Sequence, residues 1–183
     1  MSPILGIWAS AASAPAITSY ESIATATFTG SSLSITFSSI PSTYQHLQIR
    51  GLARTPSGPD QIDLRFNGDS GNNYSMHGLT GDGATVTSEG YGTQNRIFNA
   101  NSPLSNADIY TVSVIDILDY ANTNKNTTVR TLQGRDINGS GGQIQFNSGS
   151  WYNTAAVTSI TLAARIYNPT SISSFALYGI KGA

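Results

Sequence analysis

The chain has no cysteine, which excludes disulfides and thiolate metal sites outright. That absence does not fix a compartment, because an all-β domain of 183 residues buries roughly 70% of its unfolded surface without cross-links. Charge is almost as scarce. Asp, Glu, Lys and Arg make up 10% of the residues, against a usual share of about 25%. Nine basic residues face ten acidic ones, a net charge of −1. The basic stripe that neutralises phosphates is missing, so nucleic acid is not an expected partner. The charge-free opening stretch, Met1–Ser19, is too short and too rich in serine to span a bilayer, so no membrane partner is expected either. Polarity comes instead from Ser, Thr and Asn, with 18 glycines. Such a surface suits proteins that face carbohydrate or that are largely covered by neighbours. A solitary chain with few charges and a net charge near zero has poor colloidal stability, which favours an assembly.

What is present is period-two patterning. In Tyr44–Asn67, Leu47 and Ile49 oppose His46, Gln48 and Arg50, and Ile62, Leu64 and Phe66 oppose Gln61, Asp63, Arg65 and Asn67. Successive side chains leave a strand on opposite sides, so each run has one apolar face. Between them lies Thr55-Pro-Ser-Gly-Pro-Asp60, rich in turn formers, and the pair reads as an antiparallel hairpin with one buried and one wet face. Further strands are predicted at Tyr20–Phe28, Ser32–Phe37, Thr127–Gln133, Gln143–Ser148, Val157–Arg165 and Ser173–Lys181. Tyr110–Leu118, apolar at nearly every position through its middle, reads as a strand covered on both faces. The pattern fades over Gly68–Asp108, which is expected to be the least regular and most exposed region, with a short hairpin or two inside it. About nine strands and no convincing helix predict an all-β fold, an antiparallel β-sandwich or jelly roll over residues 20–183, with an extended N-terminal arm at 1–19.

That arm carries Ile4, Leu5, Ile7 and Trp8 in its apolar cluster. It reads as a docking arm for a neighbouring subunit, or as a first strand of the domain's own core. A targeting sequence is the third reading, although the positive n-region that such a segment carries is absent.

Candidate chemistry is thin. Gly68-Asp69-Ser70 matches the GDS signature of one group of serine hydrolases, but the Asp and His that those enzymes carry near the C-terminus are absent. An Asn-Gly-Asp-Ser-Gly turn accounts for it. Asp60, Asp63, Asp69 and Asp82, with Asn67, Asn72 and Asn73, are hard oxygen donors, yet their spacing matches no EF-hand loop. His46 reads as a surface histidine and His77 falls in the irregular region. Asp116 and Asp119 flank a strand end, and an acid–base pair there lacks the aromatic cleft of a glycosidase. No enzyme activity and no cofactor are therefore expected. Tyr74, Tyr91, Trp151 and Tyr152 lie in turn-rich segments, where exposed aromatic rings would form a platform for sugars; capping of the core or contact with another subunit is the other reading of the same residues.

Several stretches together carry a resemblance. They are Ser38-Ser-Ile-Pro-Ser-Thr-Tyr-Gln-His-Leu-Gln-Ile-Arg-Gly51, Leu64-Arg-Phe-Asn-Gly-Asp69, Ile115-Asp-Ile-Leu-Asp-Tyr-Ala-Asn-Thr-Asn-Lys125 with Thr128-Val-Arg130, and Ser174-Phe-Ala-Leu-Tyr-Gly-Ile-Lys-Gly182. With the opening Pro3-Ile-Leu-Gly-Ile7, they resemble small β-rich virion structural proteins of tailed bacteriophages, especially aquatic and cyanobacterial ones. The resemblance covers most of the chain outside Gly68–Asp108, and its motifs are strand-and-turn signatures without catalytic residues. It implies a component of the phage particle. The first expectation is a capsid decoration (cement) protein on the outer surface of the virion, a homo-oligomer, as a trimer, that grips the major capsid protein or another virion protein with its arm. The second is a tail-fibre or receptor-binding protein that presents Gly68–Asp108 to host glycans. Only nineteen residues precede the first domain strand, which favours decoration over a fibre with a long shaft.

Overall fold

A computed structural model describes residues 19–57, 60–102, 108–137 and 141–182. The arm residues Ile4, Leu5, Ile7 and Trp8 lie outside the described residues. Among the described residues the fold is all-β, with twelve strands rather than about nine and no helix: β1 (Tyr20–Thr27), β2 (Ser34–Phe37), β3 (His46–Ala53), β4 (Asp60–Phe66), β5 (Tyr74–Gly81), β6 (Val86–Gln94), β7 (Ile97–Ser102), β8 (Thr111–Leu118), β9 (Thr127–Asp136), β10 (Gly142–Trp151), β11 (Ile160–Ala164) and β12 (Ser174–Ile180). Every pairing is antiparallel. Eight strands form a wide sheet in the order β1-β12-β3-β8-β9-β10-β5-β6, and four form a narrow one in the order β2-β11-β4-β7.

The two sheets face each other across one apolar core. From the narrow sheet come Phe37, Ile62, Leu64, Phe66, Ile97, Ile160 and Leu162, and from the wide sheet Leu47, Ile49, Ile115, Ile117, Val129, Trp151, Phe175 and Leu177. These are the alternate positions of their strands, as the period of two requires.

The expected hairpin between the two central runs does not form. β3 pairs with β12 and β8, whereas β4 pairs with β11 and β7. The chain thus changes sheet between Ala53, the end of β3, and Asp60, the start of β4. Had the strands paired side by side, both apolar faces would lie on the same side of one sheet, with neither covering the other. Placed in opposite sheets, Leu47 and Ile49 cover Ile62, Leu64 and Phe66 across the core.

Two other expectations are corrected, the first in part. Gly68–Asp108 contains an expected hairpin, β5–β6, but the region is more regular than expected, with three strands, and Tyr74, Met76 and Ile97 within it are fully buried. Its Gly, Ser and Thr residues hid a strand pattern instead of replacing one. β8 is covered on one face only: Thr111, Ser113, Ile115 and Ile117 point inward, while Val112 on the other face is 57% exposed.

Aromatic rings lie directly on backbone at two glycines of the wide sheet. A Cβ on Gly51 would stand 2.1 Å from Cδ1 of Phe175, its partner across the strand pair. One on Gly179 would stand 2.3 Å from Cγ of Tyr44. Gly92 has nothing within 4 Å of that position. Gly51→Ala is therefore expected to lower stability by about 1–3 kcal/mol through overpacking, and Gly92→Ala to change it little, as read from urea midpoints of the two variants. Equal midpoints would show that the Phe175 ring moves aside freely.

Candidate interaction surface

The outer face of the wide sheet is where the fold departs from a self-sufficient sandwich. Registers across β8, β9, β10 and β5 align Val114, Leu132, Phe146 and Leu79 in one row. The next row runs Val112, Gly134, Ile144, Gly81 and Val86. All of these positions are on the side away from the core, because the residues between them point inward. Ile144 is 64% exposed and Val86 77%, and Leu79, Leu132 and Phe146 are also exposed. Of the thirteen exposed large hydrophobic residues described, six lie in these two rows, so the exposure is a patch and not scatter.

Opposite these rows the inner positions of β9 and β10 are polar, whereas Val129 and Trp151 nearer the other end of the same strands are apolar. Thr131, Gln133, Gln145 and Asn147 are buried. The Gln133 amide donates to Oε1 of Gln145, whose own amide donates to Oε1 of Glu89 at 3.0 Å, and the Asn147 amide donates to Oγ1 of Thr131 at 3.1 Å. β7 lies over this row, and Ile97 packs where a Cβ on Gly149 would come within 2.9 Å of its Cγ2. Along β9 and β10 the usual arrangement is thus inverted, with amides inside and aliphatic side chains outside.

Small residues give the outer face relief. Gly134 leaves a groove of about 280 Å3 between Val112, Val114, Leu132 and Ile144. Ser88, Gly90 and Ser148 leave another of about 450 Å3 beside Leu79 and Phe146, with His77 on its wall. A polar chain bounds the patch. Arg130 donates to Oδ2 of Asp116 at 2.8 Å, the Gln48 amide donates to Oδ1 of the same carboxylate at 2.7 Å, and Arg50 donates through Nε to the Gln48 carbonyl at 2.7 Å. The Arg50 guanidinium sits over the rings of Tyr20 and Tyr178, 5.3 and 5.5 Å from their centroids. An apolar centre with a polar rim is the anatomy of a protein–protein contact.

The sequence-predicted aromatic platform is split. Tyr91 and Tyr152 are exposed, but Tyr74 and Trp151 are 0% and 1% exposed, which corrects the expectation for those two. They are direct cross-strand partners at the ends of β5 and β10, and their rings stack with centroids 6.4 Å apart. Each polar tip finds an internal acceptor: the Tyr74 hydroxyl donates to the Asp69 carbonyl at 3.0 Å, and Trp151 Nε1 donates to Oδ2 of Asp69 at 2.8 Å. Burial of both rings is possible because this turn supplies those acceptors.

The remaining candidates are structural. Asp69, the GDS aspartate, sits in a turn closed by its own N–H to the Phe66 carbonyl at 2.8 Å, and its carboxylate also accepts from the Gly71 N–H. Nδ1 of His46 accepts the Asp119 N–H at 2.9 Å, and Asp119 pairs with Lys125. Asp116 belongs to the rim. Asp82 accepts from the N–H groups of Ala84 and Thr85, and Asp60 from four backbone N–H groups. Among the described residues no group of three or more His, Cys, Asp or Glu side chains is placed to hold a metal, and no helix is long and apolar enough to cross a membrane.

Comparison with family models, curated proteins and solved structures finds no match for this chain.

The Asp69 carboxyl is held below its ordinary range chiefly by the Trp151 indole N–H; burial opposes this, and the Asn73 amide and the Gly71 N–H add to the lowering. A lowered native pKa means that the unfolded chain takes up the proton more readily. The contribution is then present above the unfolded value near 4 and is lost as pH falls through the native one. Asp69→Ala is expected to cost about 2 kcal/mol at pH 7, and the gap from wild type should narrow at pH 3. Urea midpoints at both pH values check this; an unchanged gap would mean that the carboxylate charge is irrelevant.

Proposed function

We propose that this chain is a structural protein of a tailed-phage particle, a decoration (cement) protein on the outer shell. The observation that carries the reading is the inverted wide sheet, with buried amides and an aliphatic outer face. A monomer has no reason to keep Leu79, Leu132, Ile144 and Phe146 in water, whereas an assembly subunit does. The occupant we assign to this face is another copy of the same chain. Exposed apolar area on the order of 500 Å2 is at the upper limit of what monomers keep. With the rim included, the five strands β8-β9-β10-β5-β6 approach the roughly 800 Å2 per partner of a standard interface. Few charges lie within the patch, so little desolvation opposes contact. Closed symmetry, as a trimer, also limits the open strand edges.

Topology supports the same reading. Setting aside the hairpins β5–β6 and β9–β10, the remaining eight strands order as β1-β12-β3-β8 and β2-β11-β4-β7. Every connection among them passes from one sheet to the other except β4 to β7, which are paired neighbours in the narrow sheet. We read this as the winding of a jelly roll, an architecture of capsid and lectin domains. The two hairpins widen only one sheet, and together with β8 they build the apolar face. In this reading the arm 1–19, with Ile4, Leu5, Ile7 and Trp8, is left to grip the major capsid protein or another virion neighbour. The tail-fibre alternative needs a glycan platform. Burial of Tyr74 and Trp151 leaves it only Tyr91 and Tyr152.

Light scattering on the purified full-length chain at micromolar concentration is expected to give three times its 19.3 kDa mass. Phe146→Asp together with Leu132→Asp should give a folded monomer with an unchanged far-ultraviolet spectrum. A wild-type monomer would sink the interface. In purified particles, hundreds of copies relative to the major capsid protein would place it on the shell, and tens or fewer would place it on the tail.

A further inference from the structure

The outer face of the narrow sheet holds an unusual concentration of the chain's few charges. Asp63, at the centre of β4, is 3% exposed. It receives Nε and Nη2 of Arg165 at 2.7 and 2.9 Å and Nη1 of Arg96 at 3.0 Å. Arg65, two residues along β4, projects from the same face. Asn95 fixes the heads of two of these arginines: its carbonyl accepts Nε of Arg65 at 3.1 Å, and its side-chain oxygen accepts Nε of Arg96 at 2.7 Å. That leaves both terminal nitrogens of Arg65 and Nη2 of Arg96 with no acceptor among the described residues. Ala163 stands opposite Asp63 in the β11–β4 register, and its small side chain leaves room. The result is a polar cavity of about 120 Å3 between Asp63, Arg65, Arg96, Ala163 and Arg165.

The lining carries three guanidinium groups and one carboxylate. Among the described residues no second carboxylate accepts a hydrogen bond from Arg65 or Arg96. Asp60, the nearest acid in sequence, is spent on backbone N–H groups at the end of β11. The stretches outside the described residues contain no Asp or Glu. A water molecule's share of volume is about 30 Å3, so the cavity has room for about four waters, the size of one oxyanion group and too small for a sugar ring. Planar guanidinium forks match the paired oxygens of such a group. Arg65 also has Thr161 as its cross-strand neighbour, whose hydroxyl meets that of Thr36 at 3.0 Å, so the approach to the cavity is polar.

We propose that this pocket binds a tetrahedral oxyanion, a sulfate or phosphate group, either free or as the ester of a sugar. Arg65 and Arg96 supply the unengaged donors, and Asp63 holds Arg96 and Arg165 in place without neutralising the site.

The test is thermal unfolding of the full chain titrated with sodium phosphate or sodium sulfate at low millimolar concentration, against sodium chloride of matched ionic strength. The expected result is a saturable rise in Tm of about 3–5 °C at ten times the dissociation constant, absent with chloride. Arg65→Gln should weaken phosphate binding at least tenfold, while Lys125→Gln, at an exposed cation in the turn before β9, should leave it unchanged. Both substitutions are at partly or fully exposed positions, and circular dichroism checks their folding. Titration of inorganic phosphate followed by its 31P line width gives a readout independent of stability. Glucose 6-phosphate, with glucose as control, separates the sources: binding as tight as inorganic phosphate supports an ester site, and binding of the free ion alone supports an ion site. No saturable shift, an equal shift with chloride, or an equal shift in Arg65→Gln would overturn the proposal.

Discussion

The constraint on which this molecule turns is the unequal width of its two sheets. Four strands cannot cover eight. Over β1, β12, β3 and β8 the narrow sheet supplies an opposing apolar layer, and the inner positions there are Leu47, Ile49, Ile115, Phe175 and Leu177. Past β8, among the described residues, the strand that covers the inner face is β7 at the edge of the narrow sheet. A single strand offers little apolar area, so inner positions of β9 and β10 change to Thr131, Gln133, Gln145 and Asn147, which hydrogen-bond among themselves and to Glu89. Buried amides are tolerated only when they are paired in this way, and the pairing fixes β9, β10 and β6 in register. The aliphatic residues of these strands are then forced to the other side.

The end of the sandwich near Asp69 shows how such a mixed sheet is anchored. Phe66, Tyr74 and Trp151 come from both sheets and meet under one turn, with the Phe66 and Trp151 ring centroids 5.5 Å apart. Asn67, in the left-handed region at φ 51°, turns the chain. Its side-chain oxygen accepts the N–H groups of Thr158 and Ser159, while its amide donates to the Ala156 carbonyl at 2.8 Å. One turn thus ties β4, β10 and the loop that leads to β11. The widening hairpins are tied to this anchor through Tyr74 at the start of β5 and Trp151 at the end of β10.

Much of this was legible in the sequence, and the gaps have physical causes. Period two located most strands, because side-chain alternation is a property of each strand alone. It did not reveal pairing: Leu47–Arg50 and Gln61–Asn67 read as neighbours, yet they cover each other from opposite sheets. Nor does alternation say which face is inner. In Gln143–Ser148 the apolar Ile144 and Phe146 point outward and Gln145 and Asn147 inward, a choice set by what lies across the core. β6, Val86–Gln94, has almost no apolar signal because it is an edge strand with little to bury. Tyr74 and Trp151 looked like exposed rings in turns because the carboxylate and carbonyl that receive them sit in a separate turn. The arginine pocket had no signature at all. Arg65, Arg96 and Arg165 lie far apart in the chain and meet only because β11 and β7 flank β4.

Scarce charge takes on a structural meaning in this light. Where most proteins use Lys and Glu to solvate their surface, this one spends its ions as fixtures. Arg50 lies over two tyrosine rings, Arg130 is held on Asp116, and Arg96 and Arg165 on Asp63. Each of these groups has lost most of its freedom before any partner arrives, so a contact there costs little additional ordering. The two outer faces are then prepared for different neighbours by the same economy. The wide sheet keeps its charges at the rim and presents aliphatic side chains, which suits contact with a surface as poor in charge as its own. The narrow sheet concentrates three guanidinium groups around one carboxylate, which suits a small anion. A surface richer in mobile charge would blur both, raising the desolvation cost on one side and screening the positive excess on the other.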